Sequence, residues 1–485
     1  MRLAASELTE RALASVLGLF LLLTLFRGGN TDIAITAALV GTLALLVALV
    51  LFALANRNQL QWPSTAAMYF IAALLVIAIA GAAALVATPP DMWLSLPGRA
   101  AYRSIVNELV SPEFAMGSLP LSIDPRGTRR ALCVLAPCIA IAVVVPFVSR
   151  ASLLRLLGLF AVLATFEAMI GLIQLGFRGA LVFDFAGHSR ASGTFVNKNH
   201  FATLLAMSLP LLIFRASGQF TFFSHEGKNS SPLSNTWWGI AGAFVAAALI
   251  ASLSRAGVLA GGVVATIAMA LCAARRRSSS PRFLLLAIAV VLLAIGVAAM
   301  TGGFGSLLRS LLASGLGDGV SSRTLINAHT WNGITAFFPV GAGLGSYSTA
   351  FQRFQSPTLL GYVEYAHNDY LQLCFELGVV GVAVLLLLGL AAVHAARTLF
   401  RAGSASQHLS PALACLLGAL AFAIHAWFDF PAHIPALAII VTLLFSAAVN
   451  NSLVAVLRLP VVDNDPRARV VISTPRSLVR PSYQG

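Results

Sequence analysis

Polar side chains suited to binding phosphate or moving a proton recur in four separate segments of this 485-residue chain. Each segment lies at the end of a long apolar stretch. Arginine offers a planar, permanently charged fork that matches phosphate oxygens, and histidine can accept a proton near neutral pH. The combination indicates chemistry on an anionic, activated substrate. The four segments are residues 187–201, 252–257, 302–370 and 425–435.

The segment 302–370 is the longest stretch that cannot lie in a bilayer, and we interpret it as one half of an active site. A single charged group at a helix end often only extends past apolar surface toward water. Several such groups from separate hairpins on one face favour a common site. The charged and titratable members of the four segments include Arg190, Lys198, His200, Arg255, Arg323, Arg353, Glu364, His367, Asp369, Asp429 and His433.

The composition identifies the chain as a polytopic membrane protein. It is 58% hydrophobic and 10% charged, with a mean hydropathy of +0.88, values outside the range of soluble domains. Its apolar runs are continuous rather than alternating, and each can cross ~30 Å of hydrocarbon as a helix. The predicted fold class is therefore all-α. The net charge of +14 is dispersed over short loops and a C-terminal tail, so it predicts topology signals and anionic lipid rather than nucleic acid.

The apolar runs predict about twelve transmembrane helices in a domain over residues 1–449, followed by a disordered basic tail over 450–485. The predicted spans are 12–27, 32–54, 66–87, 131–148, 152–176, 201–217, 237–254, 256–274, 283–301, 371–395, 411–429 and 433–449.

The densest basic loop, residues 275–282, predicts the orientation in the membrane. By the positive-inside rule this loop and both termini face the cytoplasm. Residues 88–130, 177–200 and 302–370 then face out. The loop 88–130, with a possible short helix around Tyr102 to Leu109, has either a structural or an acceptor-facing role.

Several other patterns favour structural interpretations. The five cysteines lie inside apolar segments without metal-ligand spacing, so we expect packing residues, no disulfide and no zinc. No strand pattern precedes GAGLGSY, residues 341–347, so we expect a turn rather than a dinucleotide site. Glu167 lies within a predicted span, where a carboxylate indicates either function or a buried hydrogen-bond partner.

Three motifs together resemble a known family. RASGTFVNKNHFA, LSRAG and a long outer loop with SSRTLINAHTW, GAGLGSY and AHNDYLQLCFELGVVG are similar to the bacterial O-antigen ligase and polysaccharide polymerase superfamily. The resemblance runs from about residue 150 to residue 445. It implies an architecture like that of class C glycosyltransferases. It also implies metal-independent use of glycans linked to undecaprenyl diphosphate, on the periplasmic face of the bacterial inner membrane.

The resemblance also implies roles for individual residues. Arg190 and Arg255 are the expected diphosphate clamp, with Arg323 as a third member. Lys198 and His200 are further phosphate or acceptor contacts, or have a structural role.

His367 is the expected general base, since the family places a histidine with this role in a motif that HNDYL matches. We expect Asn368 and Asp369 beside it to bind substrate. The structural alternative is that Asn368 or Asp369 caps the following helix and His367 is only their exposed neighbour. Glu376 lies two helical turns after Asp369, on the same face, and is expected to support the site.

The expected function is transfer of a glycan from undecaprenyl diphosphate to an acceptor sugar hydroxyl, either as a ligase to a lipid A core or as a surface-polysaccharide polymerase. A transporter or flippase of lipid-linked glycans is the alternative, but it would place charges at the midplane of broken, internally repeated helices. The motifs do not separate ligase, polymerase and protein O-glycosylation.

Overall fold

Helices make up most of the computed structural model, which describes residues 62–111, 117–176, 190–223, 232–275, 318–402 and 410–454 and a few helical positions between 15 and 50. Within these residues strand is limited to the two-residue pair β1–β2, so the predicted all-α class is confirmed. In chain order the elements are α1 (Thr65–Ala83), β1 (Ala87–Thr88), α2 (Pro90–Ser95), α3 (Arg103–Leu109), β2 (Leu119–Pro120), α4 (Pro125–Val144), α5 (Arg150–Gly176), α6 (Lys198–Ala216), α7 (Pro232–Ala251), α8 (Arg255–Arg275), α9 (Asp318–Phe337), α10 (Tyr347–Ala350), α11 (Asp369–Leu377), α12 (Val379–Arg401), α13 (Ser410–Ala426), α14 (Pro435–Ala448) and α15 (Asn451–Val454).

Seven of the described helices are long and apolar enough to cross a membrane: α1, α4, α5, α6, α7, α8 and α12. The chain is therefore an integral membrane protein. The apolar helices α13 and α14 are shorter and correspond to the last two predicted spans. The predicted spans 12–27 and 32–54 lie mostly, and the span 283–301 entirely, outside the described residues, as do the basic loop 276–282 and the tail from residue 455. Twelve spans in total stays a prediction.

Helix α6 is the centre of the bundle. Within its apolar window 83% of residues are buried, against 22–50% for the other six spans, and it packs against α7, α8 and α13. Small residues permit these contacts, because helices in a membrane associate through close packing rather than through exclusion of water. On α8, Gly257 and Gly261 face Ala202 and Ala206 of α6. The glycine of the LSRAG motif therefore has a packing role.

The prediction of one continuous helix over 371–395 is wrong, because two helices cover this range. The short helix α11 ends at Leu377, and α12 begins at Val379. Between them Gly378 has φ 56° and ψ −128°, a conformation available almost only to glycine. Apolar residues continue through the break, which is why the hydropathy pattern does not reveal it.

The long loop 302–370 contains the twenty-residue helix α9, which the sequence pattern did not predict. Helix α9 packs against α11, and Phe337 of α9 lies edge-on to Phe375 of α11, with ring centroids 5.5 Å apart. Together with Tyr347 and Phe351 these rings form an apolar core separate from that of the bundle. This second core gives the region of α9 to α11 a framework of its own, the α9–α11 framework.

The loop 88–130 packs into this framework, which is the structural one of its two predicted roles, and the acceptor-facing role stays a prediction. The side chain of Arg99 is 1% exposed and donates to the carbonyl oxygens of Leu121 (2.7 Å) and Gly341 (3.2 Å). Thr128 of the same loop donates to the carbonyl of Leu344 at 2.6 Å. GAGLGSY forms a turn, as predicted, and receives the bonds to Gly341 and Leu344. The predicted helix around Tyr102–Leu109 is also confirmed, as α3.

We expect Gly378→Ala to destabilise the protein. A Cβ at this position would collide with the carbonyl oxygen of Pro339, and the positive φ alone costs about 1–3 kcal/mol in a non-glycine residue. Gly389→Ala is the matched control, because nothing lies within 4 Å of a Cβ there. The measurement is thermal unfolding of both purified variants in detergent. Equal melting temperatures for the two variants would contradict this account of the helix break.

Candidate active site

Asp429, in the turn between α13 and α14, is the centre to which the predicted segments converge. Its side chain is buried, and donor groups surround both carboxylate oxygens. Oδ1 accepts from His367 Nδ1 at 3.0 Å and from the backbone N–H of Phe430 at 3.1 Å. Oδ2 accepts from Asn199 Nδ2 at 2.5 Å and lies 3.7 Å from Arg323 Nη2. One carboxylate therefore joins α6, α9 and the segment before α11.

The ionised state of Asp429 fixes the tautomer of His367. Burial by itself would raise the pKa of this carboxyl, but the hydrogen bond from His367 and the charge of Arg323 outweigh burial and hold the pKa well below its usual range. An ionised carboxylate can only accept, so Nδ1 of His367 carries the hydrogen. The Nε2 lone pair then remains available, and no side chain or backbone group of the described residues bonds to it. The His367 side chain is 29% exposed, so a hydroxyl group can reach it.

The backbone around His367 is held in an uncommon conformation. His367 has φ 51°, which non-glycine residues adopt rarely. The next residue, Asn368, is the N-cap of α11, and its side chain accepts from the backbone N–H groups of Tyr370 and Leu371, each at 3.1 Å. The capping alternative is thus present in the structure, but His367 is also bound to Asp429 rather than only exposed. As a substrate contact Asn368 stays a prediction.

The segment 190–198, which leads into α6, lies alongside the turn between α7 and α8. The Lys198 ammonium donates to the carbonyl oxygen of Leu253 at 2.9 Å. The backbone N–H of Ala191 donates to the carbonyl oxygen of Ala251 at 3.1 Å. Two predicted segments, far apart in sequence, are joined by these bonds.

The same contacts bring the predicted cations together. Arg190 directly precedes Ala191, and Arg255 is the first residue of α8; both side chains are exposed. The charges of Arg190, Arg255 and Arg323 all act on the ammonium group of Lys198. Three arginines within range of one ammonium group repel it, so this cluster is suited to an anion carrying more than one charge.

Side chains of α5 bind the backbone of residues 192–194, which lie in the RASGTFVNKNHFA motif. The Glu167 carboxylate accepts from the backbone N–H of Thr194 at 2.8 Å and from its hydroxyl at 2.7 Å. The amide of Gln174 accepts from the N–H groups of Ser192 and Gly193 and donates to the carbonyl of Gly193 at 2.6 Å. Glu167 therefore has a buried hydrogen-bond partner, the second of its two predicted alternatives.

Asp369 and Glu376 lie in the interior, where protein donors already surround them. Asp369 accepts from His433 Nδ1 at 3.0 Å and from the N–H of Ala432 at 2.9 Å. Glu376 accepts from the N–H of Gly345 at 2.7 Å. Burial raises the pKa of both carboxyl groups. The expected support by Glu376 thus takes the form of a bond to the glycine-rich turn, and substrate contact by Asp369 stays a prediction.

An aromatic cluster beside the imidazole was not predicted. Phe430 stacks on Tyr365, with ring centroids 4.0 Å apart. His367 and His200 each meet Phe430 edge-on, at 5.0 and 4.9 Å. His200 is only 6% exposed, so the structure places it behind the site, and its predicted substrate contact is untested.

The sequence patterns missed Asn199 and the central position of Asp429. Asp429 was noted only as one end of a polar turn, and Asn199 lies inside the quoted motif but was not selected. A buried acid following an apolar run was the available signal for Asp429. Within the described residues, no group of three or more His, Cys, Asp or Glu side chains is arranged to hold a metal ion.

Comparison with known families found a match over part of the chain. Residues 240–386 match the family model described as O-antigen ligase. This match confirms the predicted resemblance to an O-antigen ligase-related family and supports a ligase- or polymerase-type function of the glycosyltransferase kind. The matched range includes Arg255, Arg323 and His367 and ends before Asp429. A search of curated proteins found no match.

We expect Asp429→Asn to lower glycan transfer by about 10²–10⁴-fold, because an amide can reverse the His367 tautomer and cannot accept from all four surrounding donors. The measurement is the transfer rate of purified protein. Asp124→Asn is the matched control: Asp124 caps α4 through the N–H groups of Arg126 and Gly127, a role that asparagine also fills. Normal transfer by Asp429→Asn would exclude a role for the carboxylate charge.

Proposed function

We propose that this protein transfers a glycan from undecaprenyl diphosphate to an acceptor sugar hydroxyl on the periplasmic face of the inner membrane. The observation that carries the proposal is the pairing of His367 with the buried, ionised Asp429 beside the cation cluster of Arg190, Arg255, Arg323 and Lys198. The family match supports this class of reaction.

The geometry supports a direct displacement. A glycosyl diphosphate is already activated, so the protein has to deprotonate the acceptor and stabilise the leaving group. His367 Nε2 accepts the proton of the acceptor hydroxyl, whose oxygen attacks the anomeric carbon. The bond from that carbon to the diphosphate oxygen breaks. Asp429 stabilises the resulting imidazolium, as a carboxylate does for a histidine base in other enzymes.

The cation cluster takes the developing negative charge. Arg190, Arg255 and Arg323 offer planar forks to the diphosphate oxygens, and charge-assisted bonds of this kind are stronger than neutral ones. Lys198 adds a point charge while its ammonium is held by the carbonyl of Leu253. These residues come from the first residues of α6 and α8, from α9 and from the loop before α6, so the clamp exists only when these parts are assembled.

The placement of charge favours transfer over transport. Arg190, Lys198 and Arg255 lie before or at the first residue of candidate spans rather than in the middle of them. A transporter would place such charges near the midplane. We therefore propose an architecture like that of class C glycosyltransferases. Ligation to a lipid A core and polymerisation of a surface polysaccharide use the same chemistry, and both fit this site.

We expect His367→Ala to lose about 10²–10⁴-fold in transfer rate, the range for a general base, and still bind the lipid donor. The wild-type rate should fall on the acid side, because a protonated imidazole cannot accept the proton. Chelator should have no effect. The measurement is transfer by purified protein supplied with undecaprenyl-diphosphate glycan and acceptor, with and without EDTA. Loss of activity with EDTA, or normal turnover by His367→Ala, would contradict this mechanism.

We expect Arg190→Ala and Arg255→Ala to abolish transfer at normal protein levels, since each removes charge-assisted bonds worth about 1.5–3 kcal/mol apiece. Lysine at either position should rescue poorly, because a point charge cannot replace the fork. Donor binding and transfer would both be measured. Arg397→Ala, at an exposed position near the last turn of α12, is the control. Full activity in either alanine variant would remove that arginine from the site.

A further inference from the structure

Gln372 is a buried amide in α11 that joins the segment before α11, α11 itself and the turn before α14. Its side chain is 2% exposed. Oε1 accepts from the backbone N–H of Ala366 at 3.1 Å. Nε2 lies 3.1 Å from Glu376 Oε1 and 2.9 Å from His433 Nε2. Both ends of the amide are therefore in use.

The donors and acceptors around Gln372 permit one arrangement. The N–H of Ala366 can only donate, so the amide oxygen faces it and the NH₂ group faces the other way. That NH₂ group then donates to Glu376 and to Nε2 of His433. The proton of His433 is consequently on Nδ1, which donates to Asp369 Oδ1 at 3.0 Å. Reversing the amide would place two N–H groups opposite each other at Ala366 and two oxygens opposite each other at Glu376.

The hydrogen-bond network of Gln372 ends at Ala366, the residue before the candidate base His367. Ala366 is 0% exposed and directly precedes His367, whose φ of 51° requires support from its surroundings. Asn368 supports the backbone on the far side of His367 by capping α11. Among the described residues, Gln372 is the side chain that binds the backbone N–H on the near side.

We propose that Gln372 is a positioning residue, which holds the backbone of His367 in the left-handed conformation that directs the imidazole toward Asp429. It acts through the N–H of Ala366 and is itself oriented by Glu376 and by His433. Gln372 does not touch the reacting atoms. The proposal rests on the proposed function for its kinetic consequence, but its structural consequence is independent of activity.

The test is Gln372→Met, which keeps the side-chain length and removes all three hydrogen bonds. We expect kcat for glycan transfer to fall by about 10–100-fold, since small displacements of a catalytic group cost rate on this scale. KM for the lipid donor should stay within about twofold, because binding depends on the arginines. Gln355→Met is the matched control: Gln355 also binds loop backbone, at Leu359, Gly361 and Val363, none of which adjoins His367.

A second readout does not depend on activity. The rate at which diethyl pyrocarbonate modifies His367, followed by mass spectrometry, reports the environment of the imidazole. We expect this rate to change in Gln372→Met and to match the wild type in Gln355→Met. If the wild type fails to transfer glycan, the proposed function is wrong and the modification rate alone decides the positioning role.

Gln372→Glu tests the positioning role with a side chain that can keep some of the hydrogen bonds of glutamine. Beside Glu376 and away from water, the introduced acid should be protonated, so it can still accept from Ala366 and donate once. We expect its kcat to lie between those of Gln372→Met and the wild type. Wild-type kcat in Gln372→Met would overturn the proposal. So would lost activity with an unchanged modification rate of His367, because Gln372 would then act by another route.

Discussion

The site depends on one buried negative charge with donors on every side. Without its partners, an ionised Asp429 could not be buried, because a desolvated carboxylate takes up a proton instead. His367, Asn199, Arg323 and the N–H of Phe430 supply those partners. Each comes from a different part of the fold, so the charge is stable only when these parts are assembled. In return, the ionised carboxylate fixes the tautomer that makes His367 a base.

Two frameworks meet at this charge. The membrane bundle, centred on α6, supplies Asn199 and the cations at helix starts. The α9–α11 framework, with its own core around Phe375, supplies Arg323 and His367. Helix α11 connects the frameworks, because Gly378 lets it end before the span α12 begins. The position of His367 relative to the cations is therefore set by a helix that does not itself continue into a candidate span.

Much of this arrangement could be predicted from the sequence. Composition and apolar run length were sufficient for the all-α class and for most described spans, since those features depend only on local hydropathy. The motifs identified Arg190, Arg255 and His367. The break at Gly378 was missed because apolar residues continue on both sides of it. The helix α9 was missed because its mixture of polar and apolar residues gives no clear hydropathy signal. Asn199, Gln372 and the central position of Asp429 could not be predicted, since their roles arise from contacts between residues as many as 230 positions apart.

The buried Arg99 has a consequence for the order in which the chain assembles. Its guanidinium donates to the carbonyl of Gly341, 242 residues later in the chain. A chain is synthesised from its N-terminus at several residues per second, so Arg99 exists for many seconds before Gly341 is made. Until then this cation lacks one of the carbonyls that compensate its burial. The α9–α11 framework is therefore completed late, after most of the membrane bundle has been synthesised, and the loop 88–130 must remain available to receive it.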